Sequence, residues 1–132
     1  MQDSNPDDVN WDTPLHLAAK NGHEEICRMI IGNAADKNPG NKKESTPLHQ
    51  AALNGQHHIY SLIMDQIPNK NPSDRNGQTP LHIAAKNGDD ILVSMLMDHV
   101  ESEDLNFGLE STPLHLAAKN NHTEVYRIMI NR

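Results

Sequence analysis

Aromatic residues are nearly missing from this 132-residue chain: Trp11, Tyr60, Phe107 and Tyr126 make up 3% of it. A core with so few rings must draw its buried area from Leu, Ile, Met and Ala, which suits short helices in close contact better than a sandwich or barrel. Cysteine is down to Cys27 alone; that excludes an internal disulfide and favours a reducing compartment. No apolar run approaches the roughly eighteen residues of a membrane span, so membrane insertion is not expected. The first residues, Met1-Gln2-Asp3-Ser4-Asn5, are polar and acidic, unlike a secretory signal or a transit peptide. The expected location is therefore intracellular, most simply cytoplasmic. A basic excess is missing too. The formal charge is −7, and no 33-residue block of the chain is net positive, which argues against nucleic acid as a partner.

What the sequence does have is a repeat. Thr-Pro-Leu-His occurs at Thr13–His16, Thr46–His49, Thr79–His82 and Thr112–His115, each 33 residues from the last. Ala-Ala follows at 18–19, 51–52, 84–85 and 117–118. Asn-Gly comes next at 21–22, 54–55 and 87–88, replaced by Asn120-Asn121 in the fourth copy. Lys-Asn-Pro opens two of the linkers, at 37–39 and 70–72, and Ser4-Asn5-Pro6 echoes it. A fixed period of this length is the mark of a solenoid.

The letters of one unit describe two helices. Thr13, Thr46, Thr79 and Thr112 are N-caps, and the proline after each tolerates the first helical position, where an N–H would be unpaired anyway. Leu and the alanine pair share one helical face, and alanine lets a neighbouring helix come close. Asn-Gly ends the helix with a residue at ease at positive φ. A second helix follows, apolar at i, i+1, i+4 and i+5: Ile26, Cys27, Ile30 and Ile31 in the first copy, with equivalents in the others. The polar Asn-Pro stretch then turns the chain back. The pattern predicts helices near 14–21 and 24–32, recurring every 33 residues. Neither helix can bury its apolar side alone, so the units must stack and share a core along the stack.

These residues resemble the ankyrin repeat family over essentially the whole chain. The resemblance implies an all-α solenoid of helix-turn-helix units joined by β-hairpin-like loops, with a concave face. It makes residues 1–132 a single domain, with repeats at approximately 1–33, 34–66, 67–99 and 100–132. It also implies that His16, His49, His82 and His115 hydrogen-bond near the helix start and tie neighbouring loops together.

Nine histidines raise the question of metal or acid–base chemistry. Four of them belong to the repeat and so read as architecture. His23 and Cys27 are spaced i, i+4 and could form half a metal site, but no second pair stands at ligand spacing, and Cys27 falls on a core position. His57 and His58 are adjacent and diverge around a helix. No nucleophile motif, phosphate-binding loop or His-Glu-x-x-His is present. Glu24-Glu25 and Asp89-Asp90 sit where second helices begin and there complement the helix dipole. The expectation is no enzyme, no cofactor and no metal. Asn121-His122-Thr123 matches a glycosylation sequon, which has no use in a chain without a secretory signal. Asn38 and Asn71 occupy a loop position that is hydroxylated in some members of the family.

The resemblance implies contacts through loop tips and the exposed side of the first helices, with a protein or peptide as partner. Lys20-Asn21, Lys86-Asn87 and Lys119-Asn120 agree among copies and read as default surface. Where copies disagree, specificity is expected. Trp11, Glu44 and Glu110 stand where the family commonly has glycine, kept here only as Gly77, and Trp11 is of the residue type enriched at binding hot spots. Leu53 replaces the usual lysine. Leu105, Phe107 and Leu109 replace polar loop residues. With Asp12, Lys42, Lys43, Arg75 and Gln78, the candidate contact set is Trp11, Asp12, Lys42, Lys43, Leu53, Arg75, Gln78, Phe107 and Leu109. The terminal units keep the full motif instead of a polar capping version, so end-to-end self-association is expected as well. Two other readings remain open: a structural segment of a longer repeat array, and a designed or family-averaged repeat with no selected partner.

Overall fold

The computed structural model describes residues 11–100 and 112–131. Among them are eight helices, in four pairs, and no strand. The first of each pair are α1 (Pro14–Asn21), α3 (Pro47–Leu53), α5 (Pro80–Asn87) and α7 (Pro113–Lys119). The second are α2 (Glu24–Asn33), α4 (His57–Met64), α6 (Asp90–Met97) and α8 (Thr123–Ile130). The observed ends fall within about two residues of those the repeat predicts. No described helix is long and apolar enough to cross a membrane.

The first helices lie in a row, α1 on α3, α3 on α5 and α5 on α7, and each carries its own second helix. In the second row α2 packs on α4 and α6 on α8. Spacing follows from composition. Ala19, Ala52 and Ala85 are buried at the contacts of the first row, where a side chain of one carbon allows short helices to approach. Leu15, Leu48 and Leu81 fill the space between the rows, with Ile59, Tyr60 and Ile63 from α4 and Leu92, Val93 and Leu96 from α6. Tyr60, the one buried phenol ring among the described residues, donates its hydroxyl to the Lys70 carbonyl at 2.7 Å.

Helix starts are set as the sequence indicates. Each threonine N-cap accepts the backbone N–H of the histidine three residues on. Helix ends divide by copy. Gly22 and Gly88 adopt left-handed φ values of 75° and 73°, and Asn121 takes φ 61° in the last copy, where glycine has been lost. Asn21, Asn54 and Asn120 turn their amides back onto the carbonyls of Leu17, Gln50 and Leu116 at 2.8–2.9 Å, which gives the repeated asparagine a capping role.

The linkers also have a physical basis. Lys37 Nζ donates to the carbonyls of Ile31 and Ala34, and Lys70 Nζ to those of Met64 and Ile67, at 2.7–2.9 Å. A cation thereby closes the carbonyl end of α2 and of α4, where the dipole is negative. Asn38 and Asn71 then accept the N–H of Leu48 and Leu81 at the start of the next unit. Lys-Asn-Pro is a two-sided clasp between consecutive helices.

Candidate functional site: the loop tips and the groove beneath them

Two tips are fully described, 41–45 and 74–78. In each, the first side chain bends the loop: Asn41 Oδ1 accepts the N–H of Lys43 and Ser45, and Asp74 Oδ1 accepts those of Asn76 and Gln78, at 2.9–3.0 Å. Backbone bonds from Asn41 N–H to the Ser45 carbonyl and from Asp74 N–H to the Gln78 carbonyl close the loops, both at 2.9 Å. The tips are also joined to one another. Arg75 N–H donates to the Lys43 carbonyl at 3.0 Å, and Asn41 Nδ2 donates to the Asp12 carboxylate at 2.8 Å.

Histidines anchor these tips to the helices below. His16 Nε2–H donates to the Ser45 carbonyl at 2.7 Å and His49 Nε2–H to the Gln78 carbonyl at 2.9 Å. At the other ring nitrogen, Nδ1 accepts the N–H of Thr13 or Thr46. An imidazole bonded this way is neutral, with its proton on Nε2. Burial lowers the proton affinity of His49 below the ordinary value; the Gln78 carbonyl and Asp74 oppose that shift, and His16 adds to it. His82 is lowered for the same first reason, with Asp74 opposing. Burial thus favours the neutral form of both rings, and Nδ1 of each accepts the N–H of its threonine cap.

The tip residues that interrupt the glycine position pay in backbone conformation. Trp11 and Glu44 have φ of 57° and 62°, a region unfavourable to L-residues, while Gly77 occupies it at 82° without penalty. Trp11 is 62% exposed, and the Lys42 ammonium lies 5.5 Å from its ring centroid, within cation–π reach. Lys43 is exposed, and Arg75 sits 4.0 Å from Glu44 on the outer edge of the tips.

Beneath the second and third tips runs a groove of about 240 Å³, lined by Ser45, His49, Gln50, Leu53, Asp74, Gln78, Ile83, Lys86 and Asn87. Leu53, at the end of α3, is 57% exposed at its rim. The floor is apolar through Ile83, and the walls offer an amide on each side, Gln50 and Gln78.

The structure thus brings together Leu53 and Gln78 in the groove, and Trp11, Lys42, Lys43 and Arg75 along the tips. Asp12 is half-buried and engaged with Asn41, so its carboxylate is part of the tip framework. Phe107 and Leu109, together with Leu105, Glu110 and the first ten residues, lie outside the described residues. Gln50 and Ile83 were not singled out by sequence reasoning, though a signal exists. They occupy one repeat position with Leu17 and Leu116, and Gln50 breaks an otherwise aliphatic series.

The remaining histidines and Cys27 form no joint centre. Cys27 is fully buried, and burial, then Glu24, pushes its thiol up, away from the reactive thiolate. His57 instead meets the Asp89 carboxylate at 2.7 Å, across the α4–α6 boundary. Asp89 also caps α6 by accepting the N–H of Leu92. No group of three or more His, Cys, Asp or Glu among the described residues is placed to hold a metal ion.

A family model described as ankyrin repeats (three copies) matches residues 1–74 and again 57–132. No curated protein matches the chain. The two matches between them take in the whole sequence, and the paired helices, threonine–histidine caps and histidine-to-tip bonds recur at the period that the motif sets. The chain belongs to the ankyrin-repeat family.

Proposed function

We propose that the chain is a non-catalytic scaffold that holds a protein or peptide partner against its loop tips and the groove beneath them. Ankyrin repeats are in general protein–protein interaction modules, and this surface supplies what such contacts use. The observation that carries the reading is Leu53, a large aliphatic side chain left exposed where the three other copies have lysine, beside a groove with an apolar floor and amide walls. Trp11 adds an exposed aromatic at the tips, and Lys42, Lys43 and Arg75 add positive charge there to a chain whose balance is −7. The rings of His49 and His82 are held by Thr46 and Thr79, which supports a role in holding the surface rather than in chemistry. An intracellular setting, in keeping with a lone buried thiol, belongs to the same proposal.

The test is comparative capture of partners by the wild-type chain and by Trp11→Ala, Lys43→Glu and Leu53→Asp, with circular dichroism to show that each variant is folded. The reading expects all three to weaken capture of the same partner and the outer-helix variant His58→Ala to leave it unchanged. Capture lost in His58→Ala and kept in the other three would place the contact on the opposite face.

A further inference from the structure

Every boundary between repeats is built from two unlike faces, and the first and last described helix pairs leave one of each uncovered. Ile26 is 49% and Met29 62% exposed in α2, whereas Ile59, Leu92 and Val125, the equivalents of Ile26, are at most 2% exposed. In α8 the opposite side is open. Tyr126 is 38% and Ile130 56% exposed, while Cys27, Tyr60 and Val93 at the first of these positions are fully buried, and Ile31, Met64 and Met97 at the second nearly so. Ala118 is exposed where Ala19, Ala52 and Ala85 are buried. Ala118, Tyr126, Arg127 and Ile130 line a hollow of about 360 Å³ on that face.

We propose that these faces are the two halves of a head-to-tail contact between copies of this chain: the Ala118–Tyr126–Ile130 face of one copy receives the Ile26–Met29 face of the next. Both halves sit on one chain, and the contact continues an interface that the molecule already forms between its own repeats. A second copy is therefore the occupant, in the position of a fifth repeat.

Repeat register fixes the partners. His16 and His49 each use Nε2 to hold a backbone carbonyl 29 residues ahead. His115 is exposed; Thr112 engages its Nδ1 and its backbone N–H, and among the described residues no acceptor stands at its Nε2. In register, that nitrogen meets the Asp12 carbonyl of the second copy. The stem of Arg127 comes to rest by Met29 of the second copy, as Arg28 and Leu62 already share one hollow. One adjustment is required. A Cβ at Gly22 or Gly88 would meet Gln56 or His122 of the following repeat at 2.9 or 2.6 Å, and the last copy carries Asn121 at this position. His23 of the incoming copy must turn aside, as Asp89 does beside Gly55, where a Cβ would find open space. A contact between unlike faces leaves one face of each kind open on every pair, so the assembly extends beyond the dimer.

Sedimentation of the full chain from about 10 µM to about 1 mM tests this. The expected result is a mean mass that rises with concentration and passes the dimer without a plateau. Ile26→Glu and Ile130→Glu, both at exposed positions and checked by circular dichroism, are each expected to remain monomeric alone. Mixed in equal amounts, each still has one good face, and the mixture is expected to stop at about twice the monomer mass. A wild-type chain that stays monomeric throughout would overturn the proposal. So would a single variant that dimerises on its own, which would mean a symmetric contact.

Discussion

The imidazole of His49 joins two repeats: its Nε2–H donates to the Gln78 carbonyl at 2.9 Å, and its Nδ1 accepts Thr46 N–H at 3.0 Å. Cutting the ring away in His49→Ala leaves both backbone groups without their partner in a largely buried place. Each such loss costs about 1–3 kcal/mol, so a total on the order of 2–6 kcal/mol is expected from urea unfolding. His115, at the same repeat position, is exposed and, among the described residues, is held by Thr112 alone. His115→Ala is expected to cost less than about 1 kcal/mol. Equal costs at the two positions would contradict the bridging role.

The same rings set a pH dependence. His49 and His82 both have folded proton affinities lowered by burial from the ordinary 6.5. Below that value the unfolded chain binds protons that the folded chain resists, so stability rises with pH through this range. The contribution is fully present above pH 6.5 and is lost as the pH falls through the lowered folded values. Melting temperature is expected to be flat between about pH 7.5 and 8.5 and to fall between about pH 6.5 and 5, before carboxylates titrate. In His49→Gln the slope over that acidic range should be shallower; an unchanged slope would remove His49 from the account.

Glu44 holds φ at 62° in the place of a glycine. A non-glycine residue in this region costs about 1–2 kcal/mol, against roughly 0.5–1 kcal/mol of extra chain entropy lost by glycine. Glu44→Gly is therefore expected to stabilise the fold by up to about 1 kcal/mol, and Glu44→Val, with a branched side chain, to destabilise it by about 1 kcal/mol or more. Chemical unfolding of both variants gives the sign directly.

Gly55 and Gly88 separate backbone strain from crowding. Both have left-handed φ, 67° and 73°, but an added Cβ has open space at Gly55 and would stand 2.6 Å from His122 Nδ1 at Gly88. Gly55→Ala is expected to cost about 1 kcal/mol from conformation alone. Gly88→Ala should cost more, because the His122 ring must move and with it its 2.9 Å bond to the Lys86 carbonyl. Equal losses would mean that His122 yields freely.

These positions show which parts of the molecule the letters disclose. Helix starts were legible because Thr, Pro and His act on backbone groups within three residues of themselves. The unusual φ of Trp11 and Glu44 was foreseeable too, since a residue standing in a glycine position inherits its backbone. In the sequence Lys37 and Asn38 show no more than a linker position. Their partners, the carbonyls of Ile31 and Ala34 and the N–H of Leu48, come within reach only after the chain has doubled back. The groove was hidden for a similar reason: Gln50 and Ile83 lie 33 residues apart and meet only when two repeats stack. Leu53 and Lys43 stood out because copies disagree there, a comparison that needs no structure.

The central claim, that the tips and groove form a partner surface, is tested most directly by titrating a captured partner against the wild-type chain and a Trp11→Ala, Leu53→Asp double variant. The account predicts at least a tenfold weaker dissociation constant for the double variant, about 1.4 kcal/mol or more, with the folded signal unchanged. A double variant that binds as tightly as the wild type would contradict it.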